Sequence, residues 1–116
     1  MMQNLKSKAL IYKALGHPTR LFIIEYLNNN GERCVCELTD ILRFDISTIS
    51  KHLDVLRKAG LVTSRKDGQM VLYKSNIPCL NEILDCVECV SQQECTRKVM
   101  TNEKLIMNKR RINSRG

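Results

Sequence analysis

Apolar side chains recur three or four residues apart through the first half of the chain, a spacing typical of helices with one buried face. Turn and capping residues divide this pattern into four predicted helices. The first helix ends at Gly16, the second runs from Pro18 to Leu27, the third covers about 35–42, and the fourth runs from Asp45 or Ser47 to Gly60. The short connection between the last two helices is typical of a helix-turn-helix.

The period changes after Gly60, where two runs of apolar and β-branched residues flank the dipeptide Asp67-Gly68. This pattern predicts a β-hairpin with strands near 61–65 and 70–74. A fifth helix is expected to start at 76–78, and its apolar stripe consists of Leu80, Ile83, Leu84, Val87 and Val90. The pattern weakens beyond Glu94, so we expect one domain over 1–96 and a basic, partly disordered tail over 97–116.

The predicted order, α-α-α-α-β-β-α, describes a mainly α fold with a β-hairpin wing, the winged helix-turn-helix. The chain has 116 residues, of which 43% are apolar and 4% aromatic, without Trp, so one aliphatic core is expected. No apolar run reaches membrane-spanning length, and the N-terminus lacks the continuous apolar stretch of a signal peptide. We therefore expect a cytoplasmic protein that makes no membrane contact.

Positive charge is concentrated in two parts of the chain. The formal net charge is +7, with seven Lys/Arg and three Asp over 43–74, and seven Lys/Arg and one Glu over 97–116. Such concentration is expected of a surface that binds a polyanion, although a solvated basic surface has the same composition.

The start of the fourth helix carries short hydrogen-bonding side chains and cations away from its apolar stripe, as a helix that reads the DNA major groove requires. The hairpin tip adds cations and an amide that can reach the DNA backbone or minor groove. The candidate residues for contact with double-stranded DNA are Ser47, Thr48, Ser50, Lys51, His52, Arg65, Lys66 and Gln69. An amphipathic helix that meets only water is the simpler alternative, but it does not explain the basic hairpin as well.

Three segments, LGHPTRLFIIEYL, ERCVCELTDIL and STISKHLDVLRKAGLVTSRKDGQMVLYK, resemble the ArsR/SmtB family of metal-responsive winged-helix repressors. The similarity extends from about residue 5 to residue 92. The resemblance implies a homodimer held by the first and fifth helices. It further implies repression from an imperfect palindromic operator until an effector binds.

Two of the six cysteines, Cys34 and Cys36, open the third helix in a motif similar to the thiolate site of this family. The resemblance implies a third Cys three residues later in arsenic-sensing members, but Thr39 stands there. Cadmium- and lead-sensing members take further thiols from an N-terminal extension, and no Cys precedes Cys34 in this sequence. Because residues at i and i+2 of a regular helix point apart, we expect both thiols to hold one ion only if that turn unwinds.

Cys86 and Cys89 share one face of the fifth helix, and Cys95 follows as a third thiol. Zinc-sensing members of the family use a similar pair on this helix, as His and carboxylate. Thiols favour softer ions, so Cys86, Cys89 and Cys95 are the main candidate site, for As(III) or Sb(III) first and Cd(II), Pb(II) or Zn(II) next. Cys34 and Cys36 are the second candidate, as a separate site, as part of the first, or as a remnant.

Three alternatives stay open. The thiols can form disulfides or persulfides, which would make the protein a redox or reactive-sulfur sensor of the same fold. The protein can bind DNA constitutively, with zinc or nothing at the thiols. A thiol oxidoreductase is the third, although Cys86-x-x-Cys89 lies inside a helix and lacks the βαβ setting of thioredoxin-like motifs, so we expect no enzyme. Cys79 is as consistent with a buried small hydrophobe as with a ligand.

Overall fold

The structure is a computed structural model, and it describes residues 1–91. The chain forms five helices and three strands over these residues. They are α1 (Met2–Leu15), α2 (Pro18–Asn30), β1 (Arg33–Cys34), α3 (Val35–Leu42), α4 (Ile46–Lys58), β2 (Val62–Asp67), β3 (Met70–Ser75) and α5 (Leu80–Ser91). Helices α3 and α4 with the hairpin β2–β3 form a winged helix-turn-helix, as the sequence pattern predicted.

Helix α2 is one turn longer than predicted. It continues to Asn30 and ends at Gly31, which has a φ of 82°. The asparagines that suggested an earlier end have hydrogen-bond partners: the Asn28 amide donates to the Ile77 carbonyl oxygen at 3.0 Å, and the Asn30 amide donates to the Tyr26 carbonyl oxygen at 2.9 Å. These contacts offset the tendency of asparagine side chains to compete with the helical backbone.

The turn between α3 and α4 is tight. Arg43 adopts a left-handed conformation with a φ of 58°, and its N–H donates to the Thr39 carbonyl oxygen at 2.8 Å. Asp45 then takes the N-cap position of α4 in an extended conformation. The turn directs one face of each helix into a common core, whose fully buried side chains are those of Ile23, Ile24, Leu38, Ile49, Leu53, Leu56, Val62 and Leu80.

The hairpin belongs to a three-stranded antiparallel sheet with the strand order β1-β3-β2. The hairpin pairs Val62 with Ser75 and Asp67 with Met70, and Gly68 supplies a positive φ of 64° in the two-residue turn. Strand β1 was not predicted, since two residues are too few to show an alternating pattern. It joins the sheet through the register Arg33 to Tyr73 and Cys34 to Leu72.

The chain divides into two compact units, 1–80 and 81–116. The first contains α1 to β3. In the second, the described part is the remainder of α5, which begins at Leu80, after the predicted start at 76–78. Of the predicted stripe on α5, Leu80 is buried, whereas Ile83, Val87 and Val90 are exposed. The predicted tail, 97–116, lies outside the described residues.

Candidate nucleic-acid interface and thiol sites

The start of α4 presents a polar surface. Ser47, Ser50 and Lys51 are exposed and Thr48 is half-buried, while Ile49 between them is fully buried. The Ser47 hydroxyl donates to the Asp45 carboxylate at 2.7 Å. Hydrogen bonds from Thr48 and then Ser47 hold the pKa of Asp45 below its ordinary value. The predicted hydrogen-bonding side chains are thus on one accessible face, with two of them oriented by Asp45.

His52 differs from the other predicted DNA contacts on α4, because its side chain is half-buried between elements. Its ring lies 4.4 Å from the ring of His17, measured between centroids, and its Nδ1 lies 3.3 Å from Nη1 of Arg20. Arg20 also donates through Nε to the Ala14 carbonyl oxygen at 2.6 Å. Burial, His17 and Arg20 together lower the pKa of His52. These contacts join α4 to the start of α2.

The wing places Lys66 and Gln69 at its exposed tip, as the hairpin signal indicated. Arg65 is also exposed, but its guanidinium makes a bidentate ion pair with Glu32, with N···O distances of 2.9 and 2.7 Å. This pair lowers the pKa of the Glu32 carboxyl and raises that of the Arg65 guanidinium. Arg65 therefore ties β2 to the loop that precedes β1.

The two cysteines of the third-helix motif do not both lie within the helix, and the expectation that they point apart is wrong. Cys34 precedes α3 in an extended conformation, with φ −84° and ψ 159°, because it pairs with β3. Cys36 lies in the first turn of α3, and the Cα atoms of the two residues are 5.4 Å apart. The structure joins their sulfur atoms in a disulfide, so the pair converges without any unwinding of α3.

This cysteine pair lines a groove of about 320 Å³. Val35 lies beside the pair, Ile46 and Ser50 come from α4, and Gln69, Met70, Val71 and Tyr73 come from the wing. Ile46 and Met70 are exposed apolar side chains within this lining. We call it the thiol groove. It connects the cysteine pair with both elements that were predicted to contact DNA.

The main predicted metal site is described only in part. Cys86 is exposed and Cys89 is buried, both on α5, and Cys95 lies outside the described residues. Cys79 is exposed, which argues against its alternative role as a buried hydrophobe. Over residues 1–91, no three His, Cys, Asp or Glu side chains converge in a group suited to a metal ion.

Comparison with known proteins identifies the family. Residues 17–64 match the model of "Bacterial regulatory protein, arsR family". The chain is 41% identical over 87 residues to an uncharacterized HTH-type transcriptional regulator of Methanocaldococcus jannaschii, covering 75% of this chain and 98% of that protein. The chain belongs to the arsR family.

Two relatives of this arsR-family chain are named for resistance to toxic elements. The arsenical resistance operon repressor of Staphylococcus xylosus is 36% identical over 98 residues, covering 82% of this chain and 92% of that protein. The cadmium resistance regulatory protein CadC of Listeria innocua is 41% identical over 71 residues, covering 60% of each chain. The family is one of DNA-binding transcriptional regulators, and these two members are named for resistance to arsenicals and to cadmium.

Solved structures agree with the arsR-family fold. HlyU from Vibrio cholerae N16961 superimposes with a TM-score of 0.69 at 34% identity, covering 77% of this chain and 99% of that chain. A homodimeric winged helix-turn-helix DNA-binding domain from Mycobacterium bovis has a TM-score of 0.67 at 27% identity, covering 79% and 84%. In the part of our arsR-family chain that the structure describes, no helix is both long and apolar enough to span a bilayer.

Residues whose roles depend on contacts with side chains far away in the sequence were not predicted. Glu32 and Arg20 lie in segments that resemble the family, but their roles follow from contacts with Arg65 and His52 across 33 and 32 positions. The Tyr26 hydroxyl likewise donates to the Glu37 carboxylate, which raises the pKa of Tyr26. That bond connects α2 with the first turn of α3. From the sequence alone, Glu32 and Glu37 could be interpreted only as solvated charges.

Proposed function

We propose that this arsR-family protein is a cytoplasmic, homodimeric repressor that releases its operator when a soft metal or metalloid binds its cysteine thiolates. The observation that supports DNA binding is the accessible polar face of α4 beside the basic wing. Ser47, Ser50 and Lys51 are exposed there, and Lys66 and Gln69 extend from the hairpin. We assign base contacts to the α4 residues and backbone contacts to the wing.

The homodimer is supported by apolar surface on two helices. Met2, Leu5 and Tyr12 form an exposed stripe on α1, and Val87 and Val90 are exposed on α5. Apolar stripes on helices are normally buried, so a second copy of the chain is the proposed cover. The M. bovis relative is a homodimer. A two-fold dimer matches a palindromic operator with half-sites about one helical turn apart, or a multiple of it.

The proposed site for an inorganic ion is the set Cys86, Cys89 and Cys95. Cys86 and Cys89 are at i and i+3 of α5, and Cys95 would complete a three-thiolate set that suits As(III) or Sb(III), with Cd(II), Pb(II) and Zn(II) as further ligands. The names of the S. xylosus and L. innocua relatives support effectors of this class. Cys34 and Cys36 are the second proposed set.

A titration tests this function. The reduced protein is first used to select a duplex from a random DNA pool, and the selected duplex serves as the operator. Arsenite, antimonite and cadmium are then added while ultraviolet absorption reports thiolate–metal bonds and fluorescence anisotropy reports bound DNA. We expect both signals to change together at about one ion per chain, and the variant Cys86→Ser/Cys89→Ser to lose both. DNA release by none of the three ions would contradict the proposal.

A second function, redox sensing, is favoured by one observation, the bonded sulfur atoms of Cys34 and Cys36. Oxidation by a peroxide would convert the two thiols to this disulfide, with the peroxide reduced to water and the two thiol protons taken up in that water. DNA release by peroxide or polysulfide from the reduced protein, but not by any of the three ions, would establish this alternative. The variant Cys34→Ser would then have to be insensitive.

A further inference from the structure

Ile46 is an exposed apolar residue at the start of α4, the end from which a recognition helix contacts DNA bases. Its side chain is 63% exposed, whereas Ile49 in the same turn is fully buried. Val55 is the other large apolar side chain exposed on α4, and it lies in the C-terminal half of the helix. Single exposed apolar residues are common on protein surfaces, so the position of Ile46 indicates a role more strongly than its exposure does.

The elements around Ile46 leave its side chain open. It lines the thiol groove together with Ser50 of α4 and with Met70 and Val71 of the wing, and most of its surface still faces solvent. Because residues at i and i+4 of a helix lie on the same side, Ile46 extends the accessible surface of Ser50 towards the N-terminus of α4. A molecule that contacts Ser50 is therefore placed to contact Ile46 as well.

The hydroxyl groups next to Ile46 already donate to an acceptor. Ser47 donates to the Asp45 carboxylate at 2.7 Å, and Thr48 also forms a hydrogen bond with that carboxylate. While they do so, these hydroxyl groups can accept a hydrogen bond from a base but cannot donate one. A polar base group that packs directly against Ile46 would lose its water without gaining a partner, so an apolar group is preferred there.

The major groove of unmodified DNA presents one apolar group, the C5-methyl group of thymine. We propose that Ile46 selects a thymine in each operator half-site by packing against this methyl group. The inference rests on the proposed DNA binding by α4, and it adds the base that one residue recognises. Ile46 was not among the residues that the sequence predicted to contact DNA, because an apolar residue next to a buried stripe is normally assigned to the core.

The polar groups of α4 favour thymine over 5-methylcytosine, which carries the same methyl group. In thymine the methyl group adjoins the O4 acceptor, to which the exposed Ser50 or Lys51 can donate. In 5-methylcytosine it adjoins the N4 donor. The nearby acceptor for such a donor, the Asp45 carboxylate, is already bonded to Ser47 and Thr48.

Removal of single methyl groups from the DNA tests the contact. The reduced, metal-free full chain selects a duplex from a random DNA pool, and each thymine of one half-site is then replaced in turn by deoxyuridine, which lacks only the methyl group. Fluorescence anisotropy gives the affinities. We expect one position at which the replacement weakens binding by about three- to fivefold, the equivalent of one buried methyl group. If no thymine of the half-site behaves in this way, the proposal is wrong.

Protein variants assign the effect to Ile46. We expect Ile46→Ser to bind the thymine and deoxyuridine duplexes equally. Ile41→Ser is the matched control, since it makes the same change at an exposed position on α3, and it should keep the full preference for thymine. Ile46→Val retains part of the apolar contact and should keep part of the preference, which decides the assignment even if Ile46→Ser binds DNA too weakly to measure. The same preference in the wild type, Ile46→Ser and Ile46→Val would overturn the proposal.

The two sources of a methyl group are separated at the sensitive position. The thymine–adenine pair is replaced there by a cytosine–guanine pair, with and without a methyl group on C5 of cytosine. We expect thymine to bind most tightly, 5-methylcytosine next and cytosine least, and the difference between the two cytosines to vanish in Ile46→Ser. Tighter binding of 5-methylcytosine than of thymine would contradict the assignment to thymine.

Failure of this inference and failure of the proposed function give different results. If the chain selects no duplex, DNA binding by α4 is wrong, and the role of Ile46 with it. If a duplex is selected and its affinity is independent of every thymine methyl group, the role of Ile46 alone is wrong. Circular dichroism confirms beforehand that each variant is folded.

Discussion

Arg65 and Glu32 show how one exposed ion pair can set the charge that a DNA-binding surface presents. Arg65 was predicted from its position on the hairpin to contact the DNA backbone. In the structure, the Glu32 carboxylate accepts hydrogen bonds from Nε and Nη2 of Arg65, so the carboxylate and a DNA phosphate compete for the same donors. An ion pair that is open to solvent contributes little to stability, so the phosphate can displace the carboxylate.

We expect Glu32→Gln to raise DNA affinity by about two- to fivefold at low salt, because it removes both the competitor and a negative charge from the interface. Arg65→Ala should lower the affinity and reduce the slope of log K against log salt by about one. Fluorescence anisotropy at several salt concentrations measures both. An unchanged affinity in Glu32→Gln, with Glu25→Gln as the control for charge alone, would show that the pair does not compete with DNA.

His52 is the second residue whose partners change its expected role. Its ring was predicted to face DNA, but it contacts His17 and receives a hydrogen bond at Nδ1 from Arg20. That bond requires an unprotonated Nδ1, and the pKa of His52 is lowered first by burial of the ring and then by the proximity of His17 and Arg20. A structural role between α2 and α4 therefore accompanies, or replaces, contact with DNA.

The free energy of unfolding should decrease as the pH falls below about 6.5, the ordinary pKa of His. The folded state holds His52 neutral there while the unfolded chain takes up a proton, so acid favours unfolding until the lowered pKa is also passed. Urea unfolding at pH 7.5 and 5.5 measures the difference. His52→Asn keeps an acceptor for Arg20 without the titration, and its pH dependence should be weaker. The same dependence in both proteins would contradict this role.

At the scale of elements, the sequence predicted most of what the structure contains. The helices and the hairpin carry their signals locally, as periodicity and as capping or turn residues such as Gly16, Gly60 and Gly68. Strand β1 was missed because a strand of two residues exists only through its partner β3. The same partner explains the geometry of Cys34: pairing keeps it extended, whereas the helical pattern alone placed it on α3. Residue types therefore predicted the candidate site, but its convergence depends on tertiary pairing.

On helix α4, we expect the buried residues to contribute to stability and the exposed residues to contribute to DNA binding. Ile49 is fully buried and Lys51 is exposed, although they are two positions apart. We expect Ile49→Ala to lower the free energy of unfolding by about 2–5 kcal/mol, through lost burial and a cavity. Lys51→Ala should change stability by less than about 0.5 kcal/mol and yet weaken DNA binding. Chemical denaturation and anisotropy, applied to both variants, test the assignment. Strong destabilisation by Lys51→Ala would contradict it.

At the scale of the whole molecule, α1 carries apolar residues that the described part of one chain, residues 1–91, leaves exposed. Leu5 is 51% exposed and Tyr12 is 64% exposed, on the same side of the helix as Met2. Within residues 1–91, α1 contributes only Ala14 and Leu15 to the buried side chains. Packing of α1 against a second copy would bury this stripe and place two α4 helices for two half-sites.

Leu5→Glu should therefore weaken the dimer by at least about tenfold, because association would bury an unpaired carboxylate. Ser7→Glu adds the same charge on the opposite side of α1 and should leave the dimer intact. Sedimentation equilibrium over a range of protein concentrations measures the dissociation constants. DNA affinity should fall in Leu5→Glu alone, with binding to a full palindrome reduced more than binding to one half-site. If both variants remain equally dimeric, α1 does not form the interface, and its apolar stripe has another partner.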